Sequence, residues 1–120
     1  EILNSEGAGQ DLIQVVQSHT YGNKDCGENV VKERTKRVEH SLVASETLTG
    51  LIVANALMQP DRKIASVKLK SLKKKYKNKS FAANCDRELI REIEKTGLSL
   101  DEFFEMSLEA LKEIASDLGL

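Results

Sequence analysis

The sequence predicts an all-α domain. Apolar residues recur at helical spacing in several separate windows, no window alternates with strand period, and Pro60 is the chain's single proline. A length of 120 residues suits one small domain with a modest core. At 40% hydrophobic and 31% charged residues the composition is that of a folded globular chain rather than a disordered one.

Taken in order, Glu1 to Gly7 reads as the end of a helix followed by a glycine stop, and implies that helices precede it. Leu12, Ile13, Val15 and Val16 give residues 11–18 one apolar face, and residues 20–33, with Gly22 and Gly27, read as a surface loop. A long helix is expected from about Lys32 to Met58, with Val38, Leu42, Leu48, Ile52 and Ala56 as its buried stripe. Its second half is apolar on nearly every side and should lie at the centre, with Pro60 ending it. Residues 66–78 form a short cationic helix with Leu69, Leu72 and Tyr76 on one side. Leu89, Ile90 and Ile93 mark the next helix, closed by Gly97.

The last helix opens on a capping box, Ser99-Leu100-Asp101-Glu102, with Leu98 and Phe103 as a staple pair. Its apolar face is Phe103, Phe104, Leu108, Leu111, Ile114, Ala115 and Leu118, and Gly119 ends it.

Charge is segregated although the net charge is only −1. Nine Lys or Arg and no acid fall between Arg62 and Lys79, whereas ten acids against four bases fall between Asp86 and Asp117. Those blocks attract each other within the fold or between two copies. The balance argues against a general polyanion binder. Cys26 and Cys85 form no CxxC pair, so a zinc knuckle is not expected, and two isolated cysteines suit the reducing cytosol. No signal peptide and no apolar run near the roughly 18 residues of a membrane helix is present. A cytoplasmic protein is expected.

Few residues suggest chemistry by themselves. His19 follows an apolar helix, where a metal ligand would be accessible; the plain alternative is a helix-end imidazole against terminal carbonyls. Glu46 sits beside the apolar half of the long helix, with Glu39 and Val43 on the same side, and a carboxylate there needs a cation, a metal or water. His40 is expected on the exposed side of that helix. The lysine run offers phosphate contacts with Tyr76 as a stacking ring, or else a solvated cationic face. Catalytic residues are not evident: no P-loop, GxSxG or HExxH pattern occurs.

Two stretches carry a resemblance: Ser45-Glu46-Thr47-Leu48-Thr49-Gly50-Leu51 through Pro60, and Val67 through the lysine run to Phe81-Ala82-Ala83. The tail from Thr96 to Leu120 adds to it. They resemble the C-terminal half of an uncharacterised bacterial and archaeal family of HD-domain proteins. The resemblance implies a compact helical fold around a divalent metal and hydrolysis of phosphate esters, often of nucleotides, by a metal-activated water. It makes residues 1–120 the C-terminal part of an HD-like domain without its N-terminal helices. The family's late aspartate falls on Glu46, and His19 falls on a histidine that serves a second metal in some members. The family's His-Asp pair is absent from this chain. The chain by itself is therefore expected to be an inactive fragment or degenerate member that binds divalent metal weakly or not at all, and to associate as a homo-oligomer through uncovered apolar faces. The competing reading is a non-enzymatic helical module whose basic segment binds an acidic partner or nucleic acid.

Overall fold

A computed structural model describes residues 1–23 and 32–120. Among them every regular element is helical: α1 (Ile2–Ser5), α2 (Gln10–Ser18), α3 (Arg37–Leu57), α4 (Leu69–Lys77), α5 (Arg87–Arg91) and α6 (Leu100–Glu113). A 3₁₀ turn at Ile64–Ser66 precedes α4, and another at Glu92–Thr96 continues α5. The expected all-α class is what the chain adopts. Most of the expected surface loop, with Cys26, lies outside the described residues.

Helix α3 is the axis of the molecule. Val43, Ala44, Leu48, Leu51, Ile52 and Ala56 are fully buried, and α4, α5 and α6 pack around its second half. That half is central because no polar face interrupts it except Asn55, which is buried as well. The first half departs from expectation. Val38 and Leu42 are 53% and 38% exposed, while Glu39 and His40 are buried. Polar bonding decides the rotation. The Glu39 carboxylate accepts the N–H groups of Thr35 at 2.8 Å and Lys36 at 3.0 Å, two donors that the start of a helix leaves without partners. This cap also places the start at Arg37 rather than Lys32. Glycine in mid-helix costs about 1 kcal/mol against alanine, but Gly50 has a steric reason: a Cβ there would meet the Cys85 sulfur at 3.2 Å.

The remaining helices follow their local signals. Leu72 is buried under α4, and the Tyr76 ring packs on Phe104 with centroids 5.0 Å apart. Gly97 ends the 3₁₀ turn in the left-handed conformation, φ +91°. At α6 the box is closed both ways: Ser99 Oγ accepts from the Glu102 N–H at 3.2 Å, and Glu102 returns a bond to the Ser99 N–H at 3.1 Å. Phe103, Phe104, Leu108 and Leu111 are buried as expected. Regular helix stops at Glu113, short of Gly119, and Ile114 and Leu118 are 44% and 46% exposed. The tail instead turns back, with the Leu120 N–H on the Ala115 carbonyl at 2.9 Å.

Residues 78–86 have no repeating structure, yet one side chain organises them. The Arg87 guanidinium donates to the carbonyls of Lys75, Tyr76, Asn78, Phe81, Ala82 and Cys85 at 2.5–3.2 Å. It thereby satisfies the open end of α4 and shapes the loop that carries Asn84 and Cys85. An arginine has five N–H donors in a fixed fork, so most are committed to backbone. Replacing Arg87 by Ala should lower unfolding free energy by about 2–3 kcal/mol, seen as a lower urea midpoint at unchanged slope. Arg87→Lys should recover less than half, because an ammonium reaches fewer of these carbonyls. Equal stability of all three proteins would show that water replaces the guanidinium without loss.

Candidate functional site

The end of α2, the middle of α3 and the loop before α5 enclose an open cleft of about 810 Å³. His19 stands at its rim as the residue capping α2. Glu46 enters from α3, with Thr47 and Gly50 beside it, and Asn84, Cys85 and Asp86 face them from the loop. The absent side chain of Gly50 lets Cys85 approach α3.

Both residues expected as metal ligands meet here. His19 Nε2 lies 3.7 Å from Glu46 Oε2, with side chains 36% and 64% exposed. With bonds of about 2.1 Å on each side, one divalent ion spans donors up to about 4.2 Å apart, so the pair fits a shared ion. The His19 Nδ1 atom is buried without a hydrogen-bond partner. Among the described residues no three His, Cys, Asp or Glu side chains form a metal-ligand group. Glu39, Val43 and Glu46 do share a helix side, but not an environment. The first two are covered where α2 packs on α3, Gln14 reaching the Glu39 carboxylate at 3.5 Å, and Glu46 emerges past that cover into the cleft.

Beneath the cleft lies a buried ionic cluster that sequence spacing does not reveal. Arg34 grips Glu92 with two bonds, Nε to Oε2 at 2.7 Å and Nη2 to Oε1 at 2.9 Å, across 58 residues of sequence. Its Nη1 donates to the carbonyls of Ser18 at 2.7 Å and Tyr21 at 3.3 Å, on either side of His19. Its guanidinium also lies 5.5 Å from the Tyr21 ring centroid. His40 Nδ1 lies 3.1 Å from Glu92 Oε2. This corrects the expected exposed placement of His40, which is 5% exposed because its ring is the third member of the cluster.

The other cleft residues are chemically quiet. Burial pushes the Cys85 thiol up and outweighs the opposing Arg87 charge, with the Glu46 charge adding to the rise, so Cys85 is a poor nucleophile at neutral pH. Asp86 caps α5 by accepting the Glu88 N–H at 2.9 Å. Outside the cleft, the Tyr76 ring packs on Phe104 and is half-buried. No helix among the described residues is long and apolar enough to cross a membrane. No family model, curated protein or solved structure matches the chain.

The cluster and the Glu39 cap make stability depend on acid. Burial alone would raise the Glu92 carboxyl, but the hydrogen bonds from Arg34 and His40 outweigh it and hold it below its ordinary value. Glu39 is lowered first by the N–H groups of Lys36 and Thr35. A carboxyl lowered in the folded state contributes stability above its unfolded value and loses it as pH falls through the folded one. The urea midpoint should therefore fall as pH drops below about 4.5. At neutral pH Glu92→Gln should cost about 3 kcal/mol, because it leaves Arg34 buried and unpaired. That gap should narrow in acid. A Glu92→Gln protein with the parent's pH profile would show that the cluster contributes no net stability.

Proposed function

We propose that the His19–Glu46 cleft is one wall of a metal-dependent site for phosphate-ester hydrolysis, the activity implied by the HD-family resemblance. The carrying observation is the 3.7 Å approach of His19 Nε2 to Glu46 Oε2 at an open cleft. An imidazole nitrogen and a carboxylate oxygen together suit Mn²⁺, Fe²⁺ or Zn²⁺. Two ligands are fewer than a stable site uses, so the reading requires further ligands from outside the described residues. A bound divalent ion would supply an activated water and polarise the phosphoryl oxygen.

The chain's own residues have separate tasks in this reading. Glu46 and His19 hold the ion. Arg34 fixes the backbone on both sides of His19 and so sets where the imidazole stands. Asn84, on the opposite wall, offers a neutral amide to a phosphate oxygen. Burial pushes the Cys85 thiol up and makes it a poor nucleophile, and in this reading a metal-activated water attacks phosphorus.

The chain alone should bind Mn²⁺ weakly, at about millimolar concentration. Paramagnetic broadening in NMR spectra should then start at His19 and Glu46 and vanish in Glu46→Ala. Broadening centred elsewhere would overturn the ligand assignment. In a longer natural form that adds a His-Asp pair, Mn²⁺-dependent hydrolysis of a chromogenic phosphodiester should appear. Glu46→Ala should reduce its kcat/KM about a hundredfold, and Glu46→Asp should retain activity. Glu39→Ala should instead lower stability, since that carboxylate caps α3. Undiminished turnover in Glu46→Ala would refute the proposal.

A further inference from the structure

Helix α4 presents a continuous cationic stripe. Lys70, Lys74 and Lys77 stand at i, i+4 and i+7, so helical periodicity sets them on one side of α4, about 6 and 4.5 Å apart along its axis. All three are exposed, and none has an ion-pair partner among the described residues. With Leu69 and Lys73 they line an open groove of about 700 Å³. The internal neutralisation expected from the charge blocks stops short of this stripe. Lys73 Nζ meets Asp101 Oδ1 at 3.0 Å, and three residues further along each helix Tyr76 meets Phe104, so α4 and α6 run in the same direction. In that register Glu105 and Glu109 turn to the opposite side of the helix pair from Lys70, Lys74 and Lys77. No acid occurs in the sequence from Arg62 to Lys79. The net charge of −1 thus sums two separated faces, and the lysine face keeps its own positive field.

We propose that the α4 stripe binds the phosphate backbone of duplex nucleic acid, without preference for sequence. Charge complementarity identifies the occupant. A row of unpaired ammonium groups about 10 Å long matches a dense, regular row of anions, and a duplex carries one phosphate per about 1.7 Å of its axis. Lysine is a point charge without the fork that reads base edges, so such contacts position the duplex and do not select its sequence. Single strands are held largely by aromatic rings that stack on bases, and the stripe has none, Tyr76 packing on Phe104 from another side of α4. A basic helix binds a bilayer by inserting an apolar face, whereas the apolar lining of this groove is the single half-buried Leu69. The stripe shares no residue with the His19–Glu46 cleft and needs no metal, so the proposal is independent of the hydrolytic reading.

Fluorescence anisotropy of a labelled DNA duplex of about 20 base pairs, titrated with the whole chain, tests this. Neutralising three phosphates gives log affinity a slope of about −2.7 against log salt, so binding should weaken about fortyfold between about 50 and 200 mM salt. K74Q should make that slope shallower by about 1. K70Q/K74Q/K77Q should bind at least about tenfold more weakly at low salt, with parental circular dichroism. R37Q makes an equal charge change at the end of α3 away from α4, and should keep the parental slope. If the triple variant does not fold, the K74Q and R37Q slopes decide. Absence of binding at low salt, a K74Q slope equal to the parent's, or an R37Q slope as shallow as that of K74Q would overturn the proposal. So would tighter binding to single-stranded DNA of the same length, or to vesicles of equal parts phosphatidylserine and phosphatidylcholine, than to the duplex.

Discussion

A guanidinium removed from water must find its full set of acceptors, and Arg34 finds its set in two distant parts of the chain. It takes both oxygens of Glu92 and the carbonyls at the end of α2, while His40 of α3 bonds the same carboxylate. The end of α2, the start of α3 and the turn after α5 are therefore fixed relative to one another by one buried charge. The consequences run outward. His19 is held because Ser18 and Tyr21 are held. Glu46 enters the cleft because α3 is rotated with Glu39 and His40 inward. The cleft has a floor because Gly50 admits Cys85.

The elements that are regular and local were legible in the residues. The α6 start is written in four consecutive residues, Ser99 to Glu102, and the Gly97 stop in one. The apolar half of α3 and the buried side of α4 follow from periodicity, because there burial of apolar area outweighs other terms. The first half of α3 misled for a physical reason. Val38 and Leu42 form a proper apolar pair at i, i+4, but an unsatisfied helix start and a buried arginine cost more than two exposed aliphatic side chains. Periodicity counts apolar residues and cannot weigh a carboxylate that caps or a histidine that completes an ion cluster.

The candidate site was legible only in part. Glu46 and His19 stood out by their places on the helices, the family resemblance added the metal-ligand reading, and their approach to one another needed the fold. Arg34 and Glu92 carry no local signal at all, since neither belongs to a motif and 58 residues separate them. Loop residues 78–86 were opaque for a related reason. Their conformation is encoded in Arg87, which follows them, and not in turn residues of their own.

The ionic cluster is not the most economical way to make this fold stable. Removing charges from water costs several kcal/mol per ion, and well-packed apolar side chains of similar volume often serve stability as well or better. An apolar replacement for Arg34, however, could not bind the carbonyls of Ser18 and Tyr21. Those two bonds bracket His19 and set the imidazole position to within hydrogen-bond tolerance, which packing alone, being non-directional, does not. The same logic applies to Arg87, whose bonds to backbone shape the opposite wall of the cleft. On the loop wall Arg87 takes the place of secondary structure, and on the helical wall Arg34 adds directed bonds at the end of α2 to what buried area already fixes.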